Sequence, residues 1–157
     1  VTVRVREEDL GAKRAQKLLR QPRKVLRVGV LPRDANRPHP SRSGVTIGDV
    51  AAWMEYGAGH GPGATPARSW LFDWLDREIY DIFRQLQADT MRVIFGGADE
   101  KQALAKRGSV YRQQIEDRIR YENAFKSNAP STVKKKGFDL PLIDTETFVE
   151  SIRYEVV

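Results

Sequence analysis

Cysteine is absent from this chain of 157 residues, which removes disulfide frameworks, thiolate metal sites and cysteine nucleophiles from consideration and fits synthesis in a reducing cytoplasm. Histidine is scarce. Only His39 and His60 occur, both in Pro/Gly-rich stretches and neither in an HxH or HExxH spacing, so no metal and no cofactor are expected. No apolar run approaches the ~18 residues that span a bilayer, and the opening VTVRVREE has no apolar core behind its charges; neither a classical secretion signal nor a membrane span is expected. The stretch YGAGHGPGA contains GxGxG, but it does not stand between an apolar strand and a helix carrying GK[ST], so it reads as a hinge and not as a nucleotide loop. Helix-turn-helix, zinc-finger and RNP-type patterns are missing as well. No nucleophile, base and orienting group fall into a recognisable set, and the chain is not expected to be an enzyme.

What is present suffices for one hydrophobic core: 40% of the residues are apolar, and the length suits a single domain over 1–157. Lys and Arg outnumber Asp and Glu by 27 to 21, a bias toward acidic partners or phosphate. Because the two signs are interspersed over most of the length, an ordinary solvated surface is the competing reading.

Val1, Val3 and Val5 alternate with polar residues, as in a half-buried strand or an arm laid on a neighbour. A helix is expected over Glu7 to Gln21, with Leu10, Ala15, Leu18 and Leu19 on one side and Lys13, Arg14, Lys17 and Arg20 further along; Pro22 ends it. The β-branched run Val25 to Leu31 reads as a strand with Leu26, Val28 and Val30 on one face. Residues 32–44 hold three prolines and should form an exposed loop. Thr46 can cap a short helix bearing Val50, Trp53 and Met54, which Gly57 stops. Residues 57–66 contain four glycines and two prolines, irregular backbone between ordered elements.

Pro66 is placed to open the longest helical pattern, whose Leu71, Trp74, Leu75, Ile79, Ile82, Phe83 and Leu86 mark it as the core helix. Trp70 and Phe72 fall off that stripe and are candidates for an intersubunit face. Asp73, Asp76, Glu78 and Asp81 lie in its first turns, where they suit the helix dipole. Gly96 and Gly97 end it, and a second helix from Ala98 to about Glu122 follows with a narrow seam through Leu104, Tyr111, Ile115 and Ile119. Asn123 to Gly137 reads as a polar loop ending in Lys134, Lys135 and Lys136, exposed and suited to DNA phosphate or an acidic partner. A short helix near Asp144 precedes a final strand, SIRYEVV, with Ile152, Tyr154 and Val156 on one face. The sum is an α+β fold: a small mixed β-sheet packed by three or four helices, with long exposed loops and terminal strands.

Two blocks add a resemblance. VAAWMEYGAGHGPGATPARSWLFDWLDRE resembles the hallmark of tailed-phage virion-morphogenesis and tail-completion proteins: a helix ending in E-aromatic-G, then a glycine loop leading into P-A-R-aromatic. Here these are Glu55, Tyr56, Gly57, Pro66, Ala67, Arg68 and Trp70. KKGFDLPLIDTETFVESIRYEVV is similar to the family's second block through Lys136, Gly137, Pro141, Leu142, Asp144, Thr145, Ser151, Ile152 and Tyr154. One departure is Glu146, where members commonly have Gly, since Glu disfavours positive φ.

The resemblance implies a virion protein and no reaction: a ring of identical subunits in the neck or at the head-proximal end of the tail. It would touch adjacent connector or head-completion and tail-terminator or tail-tube proteins, and leave a lumen for the genome, with non-specific contact to its DNA. Trp53, Glu55, Tyr56, Gly57, Pro66, Arg68, Trp70 and Phe72 are the interface candidates it suggests, with Glu55 and Arg68 holding the glycine loop by polar contacts. A tail-terminator or minor tail protein is the alternative within the virion, and a free basic nucleic-acid-binding protein the alternative outside it.

Overall fold

The computed structural model describes residues 10–22, 24–40, 42–59, 64–122, 125, 127–137, 139 and 146–157. The expected Val1 to Val5 strand, His60, and Pro141, Leu142, Asp144 and Thr145 lie outside them.

Helix α1 (Leu10–Arg20) leads past Pro22 into strand β1 (Leu26–Val30). Residues 32–44, expected to be an exposed loop, are partly ordered: they begin with the one-turn helix α2 (Pro32–Ala35) and bury Asp34 and His39. The reason is backbone pairing, because Ile47 donates to the Arg37 carbonyl at 2.9 Å and His39 to that of Val45 at 2.8 Å. Helix α3 (Ile47–Tyr56) opens with a capping box in which Thr46 and Asp49 satisfy each other's backbone N–H. Next come α4 (Phe72–Gly96), α5 (Glu100–Tyr121), α6 (Pro130–Lys136), α7 (Thr147–Glu150) and strand β2 (Ile152–Val156).

The fold is α+β, with four helices of ten residues or more. Among the described residues the sheet is a two-stranded antiparallel ladder, not a mixed one. Its register sets Leu26 opposite Val156, Val28 opposite Tyr154 and Val30 opposite Ile152. Both apolar sets therefore share one face, as their alternation predicts.

Helix α5 lies over that face. Gly108 makes the approach possible, since a Cβ there would stand 2.4 Å from the Tyr154 ring and 2.8 Å from Leu26. The core forms where α3, the start of α4, α5, α7 and β2 meet, through Ala51, Trp70, Trp74, Tyr111, Ile115, Ile119, Phe148, Val149 and Ile152. Helix α4 ends as expected at Gly97, a left-handed C-cap with φ 69°.

Three expectations need correction. Ile79 and Phe83 are not core: they are 39% and 73% exposed, because α4 is packed along a narrower side than its apolar content suggests. Residues 130–136 are helical, with Pro130 at the first turn and left-handed Gly137 at the end, signals that the run of lysines obscured. Helix α4 begins at Phe72, not at Pro66.

Candidate functional site

The residues of the first motif block gather where α3 meets the start of α4. The first four N–H groups of a helix need partners from outside it. Here Glu55, in the last turn of α3 and buried, accepts from the Leu71 N–H at 3.0 Å, from the Phe72 N–H at 3.2 Å and from the Ser69 hydroxyl. Ser69 Oγ in turn accepts from the Asp73 N–H at 3.2 Å. A carboxylate at this positive helix end is favoured by charge as well as by hydrogen bonding.

The glycine segment closes on itself between the two helices. Ala58 and Thr65 exchange two backbone hydrogen bonds, and Arg68 N–H donates to the Met54 carbonyl at 2.7 Å. Gly57 sits at φ 80°, and a Cβ there would lie 3.0 Å from Thr65 O and Ala67 N, so only glycine fits the turn.

The Arg68 side chain, also buried, donates from Nη2 to Asn128 Oδ1 at 3.3 Å and to the Ser127 carbonyl at 3.4 Å. Asp139 holds Asn128 by both its backbone N–H and its Nδ2. Burial pulls the Arg68 guanidinium below its ordinary value, and the Asp139 charge opposes that shift. These side-chain bonds of Glu55 and Arg68 reach the elements on either side of the glycine segment and not the segment itself: Glu55 holds the start of α4, and Arg68 the segment entering α6.

Trp70 does not face outward. It is 3% exposed, donates from Nε1 to the Ala51 carbonyl at 3.2 Å, and meets Phe148 edge-on at 5.1 Å. Its assignment to an intersubunit face is therefore corrected: an indole with its N–H satisfied and its ring enclosed is core. Through this contact the two motif blocks, far apart in sequence, meet.

Outside this clasp the surface turns apolar. Tyr56 is 70% and Phe72 48% exposed, their rings 6.3 Å apart and tilted. Phe72, expected off the apolar stripe of α4, instead falls at i, i+7 and i+11 with Ile79 and Phe83, so α4 carries an exposed apolar stripe beside its packed side. Trp53 and Pro66 are half-buried at the margin. Lys134 and Lys135 are exposed on α6, of which Lys136 is the last residue.

Some charged residues were not anticipated. Arg118 is almost fully buried, paired with Asp73 and Glu122 and placed 5.5 Å over the Phe125 ring. Asp73, expected only to complement the helix dipole, is thus a cross-helix partner; Arg118's position beside the Ile115 and Ile119 seam was the available signal. Glu146 takes φ 59° despite its side chain and pairs with Arg120 at 3.1 Å.

Comparison with known proteins returned no match to a family model, a curated protein or a solved structure. Among the described residues, no helix is long and apolar enough to cross a membrane, and no group of three metal-ligating side chains occurs.

Proposed function

We propose that this chain is a non-enzymatic structural subunit of a tailed-bacteriophage virion. Identical copies form a ring at the head-tail joint, linking connector and tail and letting DNA pass. The observation that carries the reading is the stripe of Tyr56, Phe72, Ile79 and Phe83. It begins inside the motif that resembles the phage family, and it leaves large apolar side chains in water beside a well-fastened clasp. Contiguous exposed apolar surface is a signature of association, and a face that meets a different face on the next copy builds a ring where the rotation between copies closes, and an open filament where it does not. The buried Glu55 and Arg68 support the reading in a second way, because they hold the stripe's first residues on rigid backbone.

Sedimentation velocity tests it. The purified chain should run as a discrete large species or attach to connector-bearing particles, and the Phe72→Ser/Phe83→Ser variant should stay monomeric with an unchanged circular dichroism spectrum. A wild-type chain that remains a monomer and ignores such particles overturns the reading. A chain that stays small until DNA is added is the free nucleic-acid binder instead.

A further inference from the structure

Residues 10–33 contain eight basic side chains and no acidic one, leaving 19 basic against 21 acidic residues in the rest of the chain. The whole positive excess of the protein thus comes from one segment. Helix α1 arranges part of it. Lys13, Lys17 and Arg20 fall within roughly 60° of one another around the helix and span about 10 Å along it. All three are exposed, as is Lys24 just beyond the helix end.

The opposite side of α1 is the one attached to the body. Gly11 is buried, Ala15 and Leu18 are half-buried, and Arg14 donates from Nη1 to the Phe95 carbonyl at 3.1 Å, at the C-terminal end of α4. That bond places a cation at the negative end of a helix and fixes α1 with its basic stripe outward. Elsewhere many arginines are neutralised: Arg27, Arg37, Arg77, Arg84, Arg92 and Arg107 each pair with a carboxylate, whereas the exposed Arg33, Arg42 and Arg153 are not aligned along one helix. Lys13, Lys17, Arg20 and Lys24 take part in no ion pair among the described residues.

We infer that this face of α1 binds the phosphate backbone of duplex nucleic acid without reading its sequence. Cations spaced along a rigid rod match a polyanion that carries one charge per about 1.7 Å of axis, and release of its counterions drives the contact. A single strand fits less well, because α1 carries no aromatic side chain among its cations for bases to stack on; the exposed Phe95, whose carbonyl Arg14 holds, belongs to α4. A membrane surface also fits less well: α1 spends Ala15 and Leu18 against the body, and Leu19 alone of its described apolar side chains of any size is well exposed, too little to insert. The inference stands whether or not the chain forms rings.

The test is fluorescence anisotropy of the full chain with random-sequence duplex DNA over a range of salt, comparing three proteins. These are the wild type, Lys13→Gln/Lys17→Gln/Arg20→Gln/Lys24→Gln, and Lys134→Gln/Lys135→Gln/Lys136→Gln. Glutamine keeps helix propensity, and a single Lys17→Glu variant checks the same direction with less disturbance. The α1 variant should lose at least about tenfold in affinity, and its slope of log K against log salt should shrink by about 3. The α6 variant should keep most of both. Unchanged binding by the α1 variant, a loss confined to the α6 variant, or tighter binding to polyglutamate or to phosphatidylglycerol vesicles than to duplex each overturns the inference.

Discussion

Helices α4 and α5 are joined by residues 97–99 and lie side by side, yet they divide apolar content and burial in opposite ways. Helix α4 carries Leu75, Ile79, Ile82, Phe83 and Leu86 in sequence, but only Trp74 and Val93 are buried. Helix α5 is rich in charge, but buries Gly108, Tyr111, Ile115, Arg118 and Ile119. The difference comes from what each helix covers. The two-stranded sheet has one apolar face, and α5 takes it because Gly108 leaves room for the Tyr154 and Leu26 side chains; α4 packs outside α5. Burial is set by place in the packing order, and apolar residues left over on the outer helix become surface to be covered by something else.

That comparison can be broken most sharply at Ile115, which is fully enclosed. Ile115→Ala should cost about 2–5 kcal/mol in urea unfolding. If Phe83→Ala on α4 costs as much, the division of labour between the two helices is wrong.

The joint between the helices is next. Arg107 reaches across from α5 with Nε 2.5 Å and Nη2 3.2 Å from the two oxygens of Asp89, and Nη1 3.0 Å from Gln85 Oε1. This hydrogen bond holds the Asp89 carboxyl below its ordinary value against the opposing effect of burial. Asp89→Asn should cost about 1.5–3 kcal/mol at neutral pH. Since the folded-state value is depressed, the contribution is present above the unfolded value of about 3.9 and is lost as pH falls through the folded one. Urea midpoints of wild type and variant should therefore converge below about pH 4; a gap that persists into strong acid would assign the cost to packing.

Gly108→Ala should destabilise by about 1–3 kcal/mol through overpacking. The cost should shrink in a Tyr154→Ala background if the Tyr154 ring is the obstacle, a coupling that a double-mutant cycle measures. Phe83→Ser should show the smallest effect, within about 0.5 kcal/mol, despite altering a large apolar residue. A substantial loss of stability in the monomer would mean that this stripe is covered within the chain.

Arg68 sharpens a different distinction. It is an interface candidate by motif, but its burial against Ser127 and Asn128 means that Arg68→Ala removes a structural fastening. Its effect on assembly is then read only after stability is matched. The exposed pair of Tyr56 and Phe72 is the cleaner place to probe association.

Local chemistry made several boundaries readable in the chain alone. Thr46 and Asp49 start α3, Gly57 and Gly97 stop α3 and α4, and alternation assigned Leu26, Val28 and Val30 to one face of β1; each depends on neighbours a few residues away. The start of α4 was not readable, because its cap is Glu55, a residue brought in from the preceding helix across a closed glycine loop. Nor was the fate of Trp70, whose enclosure depends on Phe148 in the distant second block. The segregation of charge onto residues 10–33 is a property of sequence, whereas the direction that α1's basic stripe faces depends on the Arg14 bond to the end of α4. Turns, caps and strand faces follow from short-range sterics and hydrogen bonding. Which apolar and charged side chains leave water was decided only when α5 took the sheet face and α4 was left outside, because desolvation depends on every element packed around a residue and not on its own helix.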